Sequence, residues 1–135
     1  MSTADQKPRP RIGPDSAPFW DGCRKHELRL PFCIDCGKPH LPPGPVCPHC
    51  FSRRLEWRKA SGRGRISTWV MMHKPWFPAF AAEIPYNVVQ VELDEGPRLT
   101  ANVVGTSELS VGQRVEVVFD DIDAELTMPR FRLLP

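Results

Sequence analysis

The apolar positions of this chain alternate far more often than they recur at helical spacing. From Arg65 to His73, Ile66, Thr68, Val70 and Met72 alternate with Ser67, Trp69, Met71 and His73, the period of an extended strand. Large groups on both sides predict a strand covered on both faces. Tyr86 to Leu93 reads as a second strand, Asp94-Glu95-Gly96-Pro97 as a turn, and Arg98 to Val104 as the returning arm of a hairpin. Val111-Gly112-Gln113 turns the chain into a strand over Arg114–Phe119. Asp120 to Glu125 is an acidic loop. Leu126 to Leu133 gives a last strand, which Pro129 confines to an edge or a bulge. Leu28–Phe32 and Leu55–Trp57 are shorter strands further upstream. Short strands at this spacing, almost without helix, predict a mainly β protein built on a small barrel of about five strands.

One segment breaks the pattern. Ser16 to Glu27 predicts a helix, with Ser16 as cap, Pro18 in the first turn and Asp21 near the positive end of the dipole. Phe19, Trp20 and Cys23 share one face. Such a face must dock, either on its own domain or on a partner. Met1 to Asp15 is polar and proline-rich, and predicts a flexible or partner-bound arm. Lys74 to Pro85 is a long connection carrying Trp76, Phe77 and Phe80. An aromatic loop of this kind fits a ligand or partner contact, or a lid folded onto the core.

Cysteine spacing changes the picture most. Cys33-Ile34-Asp35-Cys36-Gly37 is followed, eleven residues after Cys36, by Cys47-Pro48-His49-Cys50. Two Cys-x-x-Cys turns facing each other place four thiolates at the corners of a tetrahedron, the geometry of a closed structural zinc site. Gly37 suits a knuckle that needs positive φ. Two disulfides are the alternative, but no secretory signal is visible. Iron fits the same donor set, and His40 and His49 are ligands by type. Four sulfurs leave no position for water, so the metal is read as structural and not catalytic.

Charge adds less. The net charge is +2, unevenly distributed. Phe51 to Lys74 carries seven basic residues (Arg53, Arg54, Arg58, Lys59, Arg63, Arg65 and Lys74) against Glu56, whereas Glu83 to Glu125 carries ten acids against Arg98 and Arg114. A basic stripe attracts phosphate or forms a solvated face. Single-stranded nucleic-acid binding is the alternative function, and the acidic third speaks against it. No apolar run is long enough to cross a bilayer, so a cytoplasmic protein is expected.

Taken together, the helix before the cysteines, "LPPGPVCPHC" leading into "LEWRKASGRGRISTWV", then "IPYNVVQVELDEGPRLTANVVG" and "LSVGQRVEVVF", resemble a family that pairs a rubredoxin-like zinc ribbon with an OB-fold barrel. That family accompanies thiolases, thiolase-like aldolases and MaoC-like hydratases. The match runs from about Phe19 to the C-terminus, and the chain is expected to divide into an arm over 1–15, a helical segment over 16–30, a ribbon over 31–60 and an OB-fold barrel over 61–135. It places the metal ligands on Cys33, Cys36, Cys47 and Cys50. It implies a non-catalytic subunit of a hetero-oligomer, bound to a thiolase-superfamily enzyme or a MaoC-like hydratase, which stabilises that enzyme and shapes acyl-CoA access. A coenzyme A thioester would lie at the interface. Phe19, Trp20, Arg63, Arg65, Trp76, Phe77 and Phe80 are the expected partner or substrate contacts. The loop from Lys74 to Glu83 is richer in Trp and Phe than the family pattern asks, which points to a more apolar partner or substrate. No nucleophile–base pair is readable; Cys23 has only His26 nearby in sequence.

Overall fold

The computed structural model describes residues 6–135, so the first five residues of the expected arm lie outside the described residues. Among the described residues the single α-helix is α1, Ala17–Arg24, shorter than the expected Ser16–Glu27. Pro18 lies in its first turn, as the sequence suggests. Ser16 holds the N-cap position, as expected, but its side chain makes no capping bond. Its hydroxyl instead accepts the Gly13 N–H at 3.1 Å. Asp21 falls beyond the first turn and pairs with Arg24. The helix stops because His26 adopts a left-handed φ of 58°, and the Glu27 N–H closes back on the Gly22 carbonyl at 2.8 Å.

Strands β1 (Arg29–Cys33) and β2 (Leu55–Lys59) form an antiparallel pair with Cys33 opposite Leu55. The remaining strands are β3 (Arg63–Met72), β4 (Tyr86–Leu93), β5 (Arg98–Ala101), β6 (Arg114–Asp121) and β7 (Thr127–Leu133). They form one sheet in the order β5-β4-β3-β6-β7. The sheet curls until its edges meet. Val103, just past β5, bridges Phe131 in parallel, the Phe131 N–H donates to the Asn102 carbonyl at 2.9 Å, and the Val104 N–H donates to the Phe131 carbonyl at 2.8 Å. The predicted strand Arg98–Val104 is thus divided, its last residues leaving β4 to close a small five-stranded barrel. Pro129 lies in β7 opposite Phe119, at the end of the hydrogen-bonded order, as a proline should.

Alternation explains the core. In β4 every second residue is buried, and Val89, Val91 and Leu93 join Ile66, Val103, Leu109, Val115 and Phe131 inside the barrel. Phe19 and Cys23 of α1, with Leu28 and Leu30, belong to the same cluster, so ribbon, helix and barrel share one core. Trp57 packs against that cluster. β3 is covered on one face only, since Val70 is exposed. Gly64 lies where β3 passes between β4 and β6. A Cβ there would come within 2.4 Å of the Glu92 carbonyl oxygen.

Antiparallel pairing also removes the apparent charge segregation. It sets Arg65 opposite Glu92 and Arg63 opposite Glu116. Both pairs interact, at 3.3 Å and 3.9 Å. Two arginines of the basic stretch thereby face acids from the acidic third. Each such exposed cross-strand pair contributes about 0.2–1 kcal/mol.

Candidate metal centre and partner surface

Two tight turns, each closed by a bond from residue i+4 back to residue i, build the metal centre. The first knuckle follows β1 and the second precedes β2. In the first the Gly37 N–H donates to the Cys33 carbonyl at 2.8 Å; in the second the Phe51 N–H donates to the Cys47 carbonyl at 2.8 Å. The sulfur-bearing atoms of Cys33, Cys36, Cys47 and Cys50 all lie within 4.8 Å of one another. Cys33 and Cys50 Sγ are 3.5 Å apart, Cys36 and Cys47 Sγ 3.6 Å. Zinc–sulfur bonds of about 2.3 Å at tetrahedral angles require edges of roughly 3.8 Å. The four cysteines are therefore positioned to bind a metal ion, and the group of ligating atoms contains neither histidine.

Electrostatics agree. The Cys36 N–H holds the Cys33 thiol down to about 7. At Cys50 the Ser52 N–H pulls downward, but the crowding sulfurs, Cys33 first, and partial desolvation outweigh it and push the thiol up to about 12. Four thiols this close cannot all ionise without a cation among them. The Cys36 and His49 N–H groups each point at a sulfur at 3.4 Å, supporting thiolate charge. With all four protein ligands present, no coordination position is left for chemistry.

The knuckles are not equivalent at their ends. Gly37 has φ 79° and Phe51 has φ 64°. A non-glycine residue in this region carries about 1–2 kcal/mol of strain, and Phe51 is 78% exposed. The motif itself signals this, since Cys-x-x-Cys-Gly is repeated as Cys-x-x-Cys-Phe.

The expected contact residues are divided between interior and surface. Phe19 is only 6% exposed and belongs to the chain's own core, so it offers no surface; Trp20 stays half-buried, edge-on to it at 5.1 Å. Arg63 and Arg65 lie on the outer face of β3, paired as described above. Trp76 is 61% exposed and Phe77 about half. Phe80 sits in a 3₁₀ turn, Pro78–Phe80, against Phe77 and Tyr86 at 6.2 and 5.9 Å. The loop thus anchors Phe80 and presents Trp76, with Lys74 Nζ 4.2 Å from its ring centroid. Among the described residues no helix is long and apolar enough to cross a membrane.

Cys23 is fully buried, and burial pushes its thiol up to about 12. It is a packed hydrophobe, inert as a nucleophile. The metal-loaded native protein is expected to show no thiol reactive to Ellman's reagent at pH 8 within minutes, and one rapidly reactive thiol at Cys23 would overturn that.

Two features had no signal in the sequence. β3 carries a bulge between Ile66 and Thr68. A groove of about 1130 Å³ is lined by Met71, Val103, Val118, Phe119 and Met128 on the barrel side and by residues 6–10 on the other. Lys7 pairs with Glu83 at 2.7 Å and Arg9 with Asp123 at 2.8 Å, holding this segment along the groove. At the ribbon–barrel junction, His40 is 5% exposed and neither ring nitrogen has a hydrogen-bond partner among the described residues. Burial, and then the charge of His49, push its pKa down.

Known proteins resemble the chain over most of its length. Residues 20–56 match the model "ChsH2, rubredoxin-like zinc ribbon domain" and residues 57–120 the model "ChsH2, C-terminal OB-fold domain". A probable enoyl-CoA hydratase alpha subunit of Thermomonospora curvata is 38% identical over 93% of this chain and 40% of its own length. The 3-oxo-4,17-pregnadiene-20-carboxyl-CoA hydratase alpha subunit of Mycobacterium tuberculosis is 32% identical over 87% and 37%. The chain therefore spans about two fifths of these two relatives. A DUF35 domain-containing scaffold protein of Methanothermobacter thermautotrophicus is 35% identical over 76% of this chain and 78% of its own. Among solved structures, a chain of the Ltp2-ChsH2(DUF35) aldolase superposes with TM-score 0.84 and 38% identity, covering 93% of this chain and 98% of that one. A DUF35 protein of Sulfolobus solfataricus, TM-score 0.64 at 16% identity, shares the fold.

Proposed function

This chain belongs to the DUF35 family of zinc-ribbon and OB-fold proteins, and from that premise we propose that it is the non-catalytic, zinc-binding subunit of an acyl-CoA enzyme complex. The catalytic partner is a thiolase-superfamily enzyme, with a MaoC-like hydratase as the other class. The observation that carries the reading is the likeness, over nearly the whole of both chains, to a chain of the Ltp2-ChsH2(DUF35) aldolase. The chemistry of this chain supports an accessory role. Its metal donors form a closed set, and its fifth cysteine is buried with a thiol too basic to react.

Cys33, Cys36, Cys47 and Cys50 would hold Zn²⁺, which would tie the two knuckles together. Trp76 and Phe77 would lie against the partner or its acyl substrate, and half-buried Trp20 is a further candidate contact. Arg63 and Arg65 would add charge at the rim, where a coenzyme A thioester could be met. Their pairing with Glu116 and Glu92 weakens the nucleic-acid alternative, because paired arginines release few counterions on binding phosphate.

Tagged chain expressed with its neighbouring genes is expected to elute with a thiolase-fold enzyme in stoichiometric amount. About one zinc per chain should be measured on the same sample. Elution alone, or with nucleic acid, would sink the reading. Trp76→Ala with Phe77→Ala should weaken the complex at least tenfold, as loss of a buried aromatic anchor does; an unchanged Kd by interferometry would remove this loop from the interface.

A further inference from the structure

The ribbon carries one strained residue whose side chain the fold does not use. Among the described residues two non-glycines have left-handed backbone, His26 and Phe51. At His26 the ring stacks on Phe119 at 5.2 Å and its Nε2 meets Asp121 at 2.9 Å, so intramolecular contacts offset the strain. Phe51 has no aromatic or cation–π contact among the described residues, and it is the most exposed large hydrophobic side chain of those residues. Glycine would serve the knuckle without strain, as Gly37 does. An outlier of this kind points to a function of the side chain.

The surroundings indicate what that function is. Ile34, in the first knuckle, is also exposed. The knuckles are cross-linked through Asp35, which accepts the Ser52 hydroxyl at 2.5 Å and the Arg54 guanidinium at 2.8 Å, while the Ser52 hydroxyl accepts the Arg54 N–H at 3.0 Å. Phe51 and Ile34 therefore stand on a rigid tip, which loses little entropy on binding. Lys38 and Arg53 beside them make no ion pair among the described residues. Against the single Asp35, itself paired with Arg54, the tip is basic.

We propose that the ribbon tip is a docking plug, with Phe51 and Ile34 seated in an apolar socket rimmed by carboxylates on the catalytic partner enzyme. This rests on the reading of the chain as an accessory subunit. It adds a second anchor, on the ribbon, to the aromatic loop on the barrel. Two separated anchors fix the orientation of a subunit where one would leave it free to pivot.

The test compares Phe51→Gly, Phe51→Asn and Arg53→Glu with the unchanged chain. Each is metal-loaded and titrated against the thiolase-fold enzyme captured with it. Glycine and asparagine both tolerate positive φ, so these two variants should keep their zinc and match or exceed the original Tm. Their Kd should nevertheless rise fivefold or more, and Arg53→Glu should raise it at least as much at low salt. A smaller rise for the Phe51 variants overturns the plug, and a smaller rise for Arg53→Glu overturns the carboxylate rim. Loss of zinc or a lower Tm in Phe51→Gly also overturns the proposal, because the side chain would then serve the fold. If the unchanged chain captures no enzyme, the accessory-subunit reading itself fails, which is a separate result.

Discussion

Replacing Cys47 by serine is expected to empty the metal site and melt the ribbon. Cys47 is fully buried, and its sulfur sits 3.6 Å from that of Cys36 and accepts the His49 N–H. Serine is a poor zinc ligand, and three sulfurs do not close the site. Structural zinc contributes about 10–16 kcal/mol to folding in zinc-finger peptides, more than β1 and β2, a single hydrogen-bonded pair, supply alone. Metal content should fall from about one zinc per chain to below a tenth. Amide exchange should accelerate from β1 through β2, while β4 and β6 keep their protection. His40→Ala and His49→Ala should retain the metal. Full zinc in Cys47→Ser, or its loss in either histidine variant, would refute the four-sulfur assignment.

How much of this was legible beforehand follows from how local each determinant is. The ribbon depends on turns of five residues, so its cysteine spacing declares it. β4 depends on side-chain alternation, which is also local. Barrel closure depends on Val103 meeting Phe131, 28 residues on, and no neighbouring residue announces it. Charge was misleading for the same reason. Arg63 and Arg65 look like part of a basic stripe until register places them against Glu116 and Glu92. The helix end shows a different limit. Its αL residue is His26, not the glycine that usually marks such a stop, because a stack on Phe119 and a bond to Asp121, both distant in sequence, hold it there. Of the candidate contacts, exposure separated Trp76 from Phe19, and exposure is a property of the assembled core.

Phe131→Ala should be the most damaging single change in the barrel. The ring is completely buried, and the backbone of the same residue makes the hydrogen bonds to Asn102 and Val104 that join the sheet's two edges. The closure is reinforced from β4, where the buried Asn87 side chain accepts the Val103 N–H at 2.7 Å and donates to the Val103 carbonyl at 2.8 Å. Truncation leaves a ring-sized cavity at the point where the edges meet. Phe-to-Ala changes in cores cost about 3–5 kcal/mol, against a typical total stability of about 5–15 kcal/mol. For a chain of this size the Tm should fall by roughly 10–20 °C. Phe131→Leu keeps most of the volume and should cost about 1.5 kcal/mol or less. Because α1 and the barrel share one core, denaturation of metal-loaded Phe131→Ala should remain a single transition by fluorescence and circular dichroism. A barrel transition separate from that of α1 would show the shared core to be energetically divided.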